Sequence, residues 1–253
     1  MTRIRTVLVV GATGSIGRLV TEESVRQGYV TRALVRSAAK GRHLVAGAEP
    51  VVADLTDAST LGEAVDGIDA VVFTQGTHGG AGAAESVDYG AVKNVLTALD
   101  GRPVRIALMT AIGVTVRGDG HDWKRRGERL VRASGNAYTI VRPGWFDYND
   151  PDQLAITLLQ GDTRRASNPS DGAISRRQLA KVLVDSLSSA PAENTTFELI
   201  AESGPEPADL DPLFAALDRD PAGSIDGVRD PANLPANTEP DRVRADLGRL
   251  GDH

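Results

Sequence analysis

The sequence predicts an α/β fold, a doubly wound parallel sheet followed by a C-terminal arm, and three observations carry that expectation. Short apolar runs without strict polar alternation recur along the chain, as in strands buried on both faces. Stretches with helical periodicity separate them, which is the pattern of strand–helix–strand units. The first apolar run, residues 6–10, breaks directly into Gly11, Gly14 and Gly17, and a helix opens behind those glycines.

Taken in order, strands are predicted at 6–10, 30–35, 50–53, 70–74, 105–110 and 138–141. Between them the periodicity predicts helices at 15–27, 38–45, 59–65, 83–99 and 123–133. Right-handed crossovers then give the strand order 3-2-1-4-5-6, with ligands outside the strand C-termini. Downstream, helices are expected at 153–159 and 176–187 and a short strand at 196–200. Residues 1–202 are read as one nucleotide-binding unit with its substrate pocket. Residues 203–253, rich in Pro, Asp and Ala with amphipathic stretches at 209–217 and 240–250, are read as an arm packed on that core. Their composition leaves a frayed segment as the alternative.

Composition narrows the function classes. A chain of 253 residues with 41% hydrophobic content can bury one substantial core, and a net charge of -6 without a basic stripe gives no footprint for nucleic acid. No run of apolar residues is long enough to span a membrane, and the short run at residues 7–10 is no secretory signal, so a cytoplasmic protein is expected. With no cysteine, thiolate catalysis and disulfides are excluded. The four histidines, His43, His78, His121 and His253, lack ligand spacing, so no metal is expected. The partner expected is a small aromatic molecule, with the protein a monomer or homodimer.

The segment VLVVGATGSIG places a glycine turn between a buried strand and a helix N-terminus, where free N–H groups and the helix dipole cradle a pyrophosphate. Arg36 ends the second strand 19 residues after Gly17, with Ser37 beside it. An acidic residue there would bind both ribose hydroxyls of NAD. An arginine pairs with a 2′-phosphate, so NADP is the expected cofactor, against the plain alternative of a solvated arginine. Asp54, followed by Leu55, closes the third strand. It is either an acceptor for the adenine amino group or a turn aspartate.

Together GATGSIG, LVRS, ADLTD, GIDAVVFTQG, VDYGAVKNVLTAL and WKRRGERLVRASGNAYTIVRPG resemble the atypical short-chain dehydrogenases. Within them the likeness is to the NAD(P)-binding, NmrA-like group that includes the flavin reductase biliverdin reductase B. The resemblance covers roughly residues 6–200. It implies a Rossmann fold, NADP bound by Gly11, Thr13, Gly14, Ser15, Ile16 and Arg36, and a substrate pocket over the nicotinamide. The family's backbone passes along the cofactor ribose after strand four, which is the segment Thr74, Gln75 and Gly76 here.

Carrying over the Y-x-x-x-K pair exposes a departure. Lys124, four residues before Glu128, matches the lysine that holds the nicotinamide ribose, but the tyrosine position is Gly120. Without a phenol to protonate an alkoxide, a planar, electron-poor acceptor is favoured, because it spreads the incoming charge. Thr110 matches the region of the catalytic serine and is expected to bond the nicotinamide amide or the substrate, unless it merely ends its strand. His121, beside the vacant position, and His78, in a glycine-rich loop, are candidate proton donors, although lone loop histidines are more often solvated. Trp145 and Phe146 follow the sixth strand and form either an apolar wall for a flat substrate or ordinary core. The function expected is an NADPH-dependent reductase of a quinone, flavin or polyketide-like compound. An NADP-binding redox sensor without turnover is the alternative. Gly120 argues against a third reading, a nucleotide-sugar epimerase, which keeps the tyrosine.

Overall fold

The protein is described by a computed structural model covering residues 3–77 and 82–251. Strands β1 (Thr6–Val10), β2 (Val30–Val35), β3 (Ala48–Val52), β4 (Ala70–Phe73), β5 (Arg105–Met109) and β6 (Tyr138–Pro143) run parallel in the expected order β3-β2-β1-β4-β5-β6. A strand pair β7 (Trp145–Phe146) and β9 (Ala173–Ile174) stands apart from this sheet. The sheet itself continues through β10 (Thr195–Glu202), parallel to β6, and ends at β8 (Ala155–Leu159), antiparallel to β10.

Four successive residues of β1, Val7 to Val10, are fully buried, and their side chains divide between two cores. Val7 and Val9 face α1 (Gly17–Arg26) and α6 (Arg176–Ser188) through Val20, Leu179 and Leu183. Leu8 and Val10 face α4 (Gly90–Leu99) and α5 (Asp119–Ala133) through Val92, Leu96 and Leu130. The strand reads as continuously apolar because helices cover both faces. Among the described residues no helix is long and apolar enough to cross a membrane.

Several elements differ from expectation, among them the helix expected at 38–45, which is the short α2 (Ala38–Gly41), and that expected at 59–65, which is a 3-10 turn, Ala58–Thr60, followed by α3 (Gly62–Val65). Residues 153–159 were expected to be helical, yet Ala155–Leu159 is strand β8. The open edge of β10 supplies a hydrogen-bonded ladder, and the β-branched Ile156 and Thr157 suit a pleated edge, so tertiary pairing overrides a short and ambiguous periodicity. The helix expected over 83–99 is split into a π-helical turn, Ala84–Tyr89, and α4. Helix α5 begins one turn early, which places Gly120 and His121 inside its first turn.

The segment beyond Ser203 contributes two short helices, α7 (Asp211–Ala215) and α8 (Asp241–Gly251), and a row of acids that meet buried arginines. On α5, Arg129 pairs with Asp226 and Glu239, Arg126 with Glu239, and Arg132 with Asp220. At the end of β6, Arg142 is fully buried and takes Asp230 through two bonds of 2.7 and 2.8 Å. Val243 of α8 enters the apolar core shared with α4 and α5. Buried guanidinium groups require such partners, since an unpaired charge there is strongly destabilising.

Candidate functional site

The turn after β1 is built around glycine for steric reasons. Gly11 has φ +82°, and a Cβ on it would lie 2.9 Å from both Gln75 N and Thr74 Oγ1. A Cβ on Gly17 would lie 2.0 Å from Gly11 O, so the helix start and the turn could not approach as they do. Gly14 N–H donates to Gly11 O at 2.9 Å, and Arg18 N–H donates to Gly14 O at 3.1 Å. No side chain caps α1, so the other amides at its start, those of Ser15, Ile16 and Gly17, remain for an anion, as a pyrophosphate cradle requires. Thr13, Gly14 and Ser15 are exposed at this turn, whereas the Ile16 side chain is buried in the core and offers only its backbone.

At the end of β2, Arg36 and Ser37 are exposed, and Arg36 makes no side-chain hydrogen bond or ion pair among the described residues. Asp54 lies near enough to Arg36 to feel its charge. Its carboxylate is held below the usual range chiefly by the backbone N–H and then the hydroxyl of Thr56, with Arg36 adding to the effect. That geometry is the turn role of Asp54. Leu55 is half-buried against the core beneath, and its carbonyl accepts from Asn94 Nδ2 at 2.7 Å.

The loop after β4 meets α5. Thr74 Oγ1 donates to Val10 O at 2.8 Å, tying this loop to the glycine turn. Gln75 Oε1 is buried and has no hydrogen-bond partner among the described residues. A buried acceptor beside a cradle that tolerates no Cβ fits a dinucleotide, whose ribose hydroxyls or carboxamide N–H would satisfy it. A Cβ on Gly76 would lie 3.7 Å from both Lys124 Nζ and Asp88 Oδ1. Lys124 donates to Asp88 Oδ1 at 2.6 Å. His78 lies outside the described residues.

At the end of β5, Thr110 Oγ1 donates to Glu128 Oε1 at 2.7 Å. Glu128 is fully buried one turn beyond Lys124, on the same face of α5. Burial by itself would raise the Glu128 pKa, but Arg142 and Arg132, with the Thr110 hydroxyl, outweigh it and hold the group down at about 2. Gly120, which the resemblance sets against the family's tyrosine, is exposed in the first turn of α5, and among the described residues a Cβ added to it meets nothing within 4 Å. His121 Nδ1 lies 3.1 Å from Val116 O. Because a carbonyl only accepts, that nitrogen carries the proton in this bond.

The backbone joins β5 and β6 beyond their ends, with Ile112 N–H donating to Pro143 O at 2.9 Å. Trp145 is 37% exposed and stands edge-on to the 65% exposed Tyr148, with ring centroids 6.1 Å apart. Phe146 packs against the core and carries Arg176 over its ring, so the expected pair divides into one exposed face and one core residue.

The glycine turn, the β4 loop and Lys124 thus share one sheet edge, and Thr110 joins them through α5. Sequence reasoning missed Asp88, although VDYGAVK contains it, and it used Glu128 only as a register marker. Contacts between two helices leave no periodic trace, and only a buried acid spaced for the π-helical turn could have hinted at the first.

A family model described as NAD(P)H-binding matches residues 11–190. A Bacillus subtilis protein named uncharacterized sugar epimerase YhfK is 32% identical over 206 residues, covering 76% of this chain and 92% of its own length. Sanguinarine reductase from Eschscholzia californica is 26% identical over 242 residues, covering 77% and 88%. NAD(P)H azoreductase from Xenophilus azovorans is 29% identical over 216 residues, covering 83% and 72%. Among solved structures, a Bacillus halodurans protein described provisionally as an NAD-dependent epimerase/dehydratase gives a TM-score of 0.69 at 26% identity, over 84% of this chain and 100% of that chain.

Proposed function

Because this chain belongs to the NAD(P)H-binding family of Rossmann-fold proteins, we propose that it is an NADPH-dependent reductase of a planar, conjugated aromatic acceptor such as a quinone, a flavin or a polyketide-like compound. Gly120 carries the reading. In the dehydrogenases that the sequence resembles, this position supplies the phenol that protonates an alkoxide, and here it is a glycine. Losing a positioned donor slows reduction of an isolated carbonyl by about 10²- to 10⁴-fold, whereas a conjugated acceptor delocalises the charge and takes its proton from water. Relatives named sanguinarine reductase and NAD(P)H azoreductase support a reductase. A nucleotide-sugar epimerase would use the tyrosine that Gly120 replaces.

When bound, the dihydronicotinamide supplies a hydride. The amides of Thr13, Ser15 and Ile16 would hold the pyrophosphate, with Gly11 and Gly14 shaping the turn, Arg36 would pair with the 2′-phosphate, and Asp54 and Leu55 would border the adenine. Gln75 and Lys124 would hold the nicotinamide half, with Gly76 admitting it closely. Thr110 would accept a hydrogen bond from the carboxamide or the substrate. Trp145, together with Tyr148, would present an aromatic face to a flat substrate, with His121 bordering the site.

The test is a screen of NADPH oxidation, followed by the nicotinamide absorbance, against flavins, naphthoquinones, anthraquinones and simple aliphatic ketones. Turnover confined to the conjugated acceptors is expected. Tight NADPH binding with no turnover of any of them would favour a redox sensor, and brisk reduction of aliphatic ketones would overturn the argument from Gly120.

A further inference from the structure

We propose that Asp88 is the positioning residue of the cofactor site: it fixes the Lys124 ammonium against the Gly76 loop, where that ammonium reaches the nicotinamide ribose. The inference rests on the cofactor reading above and assigns a role to a residue that the reading does not use.

The geometry is specific. Asp88 is 5% exposed and lies in the π-helical turn Ala84–Tyr89, a distortion that often marks a functional position. Both carboxylate oxygens are engaged, Oδ1 by Lys124 Nζ at 2.6 Å and Oδ2 by Thr77 Oγ1 at 2.9 Å. One acid thus ties α5 to the loop that follows β4. Close approach of the two helical segments depends on Gly127, one turn beyond Lys124, because a Cβ there would lie 3.0 Å from Asp88 O.

This arrangement decides what each group can do. With Asp88 buried and each of its oxygens already accepting a bond, the carboxylate acts on a cofactor chiefly through Lys124. The ammonium has three N–H donors, of which Asp88 uses one, leaving two beside Gly76. A lysine on a flexible four-carbon stem otherwise spends rotamer entropy when it binds a ligand. Anchored at Asp88, it meets the ribose already in place. The sequence gap of 36 residues between the partners closes only because the π-helical turn and α5 pack through Gly127.

The test is a double-mutant cycle read by binding. Dissociation constants for NADPH and for adenosine 2′,5′-bisphosphate, which lacks the nicotinamide mononucleotide half, are measured for the unmutated protein, Asp88→Asn, Lys124→Met and the double variant. Asp88→Asn should weaken NADPH by about tenfold and leave the bisphosphate within about twofold. In the Lys124→Met background the same change should do nothing further. Asp88→Glu, which keeps the charge, should recover part of the lost affinity. Equal weakening of both ligands, or an undiminished effect in the Lys124→Met background, would show a merely structural residue and overturn the proposal. A bisphosphate that fails to bind the unmutated protein would instead overturn the cofactor reading itself.

Discussion

Thr110 Oγ1 donates its proton to Glu128 Oε1 across 2.7 Å, and the direction of that bond determines what Thr110 offers a ligand. Arg142 and Arg132 keep Glu128 a carboxylate, with its pKa at about 2, so it only accepts. The single hydroxyl proton is therefore committed, and Thr110 has only lone pairs left to offer a ligand.

It follows that Thr110→Val should lower kcat/KM by roughly 5- to 30-fold, corresponding to the loss of one hydrogen bond of about 1–2 kcal/mol. Thr110→Ser keeps the hydroxyl and should stay within about threefold of the unmutated protein. Steady-state kinetics with a quinone acceptor measures both. A serine variant as impaired as the valine variant would mean that the methyl group matters and the acceptor does not.

Arg36 should set the cofactor preference. NADPH is expected to bind at least about tenfold tighter than NADH, a gap of about 1.4 kcal/mol, and Arg36→Asp should erase the gap. Fluorescence titration with both cofactors measures it, and equal constants in the unmutated protein would contradict the role.

Two glycines should respond oppositely to alanine. Gly17→Ala drives a Cβ to 2.0 Å from Gly11 O and should abolish measurable NADPH binding, with destabilisation of about 1–3 kcal/mol. Gly120→Ala meets open space in a helix and should leave binding unchanged while stabilising by about 0.5–1 kcal/mol. Urea denaturation and NADPH titration of the same preparations separate the two effects.

Stability should depend on pH through two buried acids of opposite sign. Burial pushes Glu198 up to about 7 despite Arg142, with Asp162 adding to the rise. Its folded pKa exceeds the ordinary value of 4.5, so its contribution is greatest below that value and is lost as pH rises toward 7. Glu128, depressed to about 2, behaves conversely: its contribution is present above 4.5 and disappears as pH falls toward 2. Glu198→Gln should therefore raise Tm at pH 8 by a few degrees and change it little at pH 4.5, a shift of about 1–2 kcal/mol. Thermal melts across that range measure it, and a Tm gain that is the same at both pH values would refute the titration of Glu198.

The sequence by itself determined the parts that depend on neighbours along the chain. Gly11, Gly14 and Gly17 announce their turn because backbone sterics are local. Strand order followed from crossover handedness, a property of every L-polypeptide. Gly120 is read against the family's tyrosine from its spacing to Lys124 alone, a local relation along the chain. Only the tertiary structure decided the rest. Strand β8 exists because β10 offers an edge, which no short periodicity encodes. Helix α5 carries four arginines, a composition suited to solvent, yet Arg125 and Arg129 are buried because acids from beyond Ser203 reach them. The bond from Lys124 to Asp88 and that from Arg142 to Asp230 join residues 36 and 88 positions apart. Such pairings are set by the packing of whole elements, and charge complementarity between distant segments has no period along the chain.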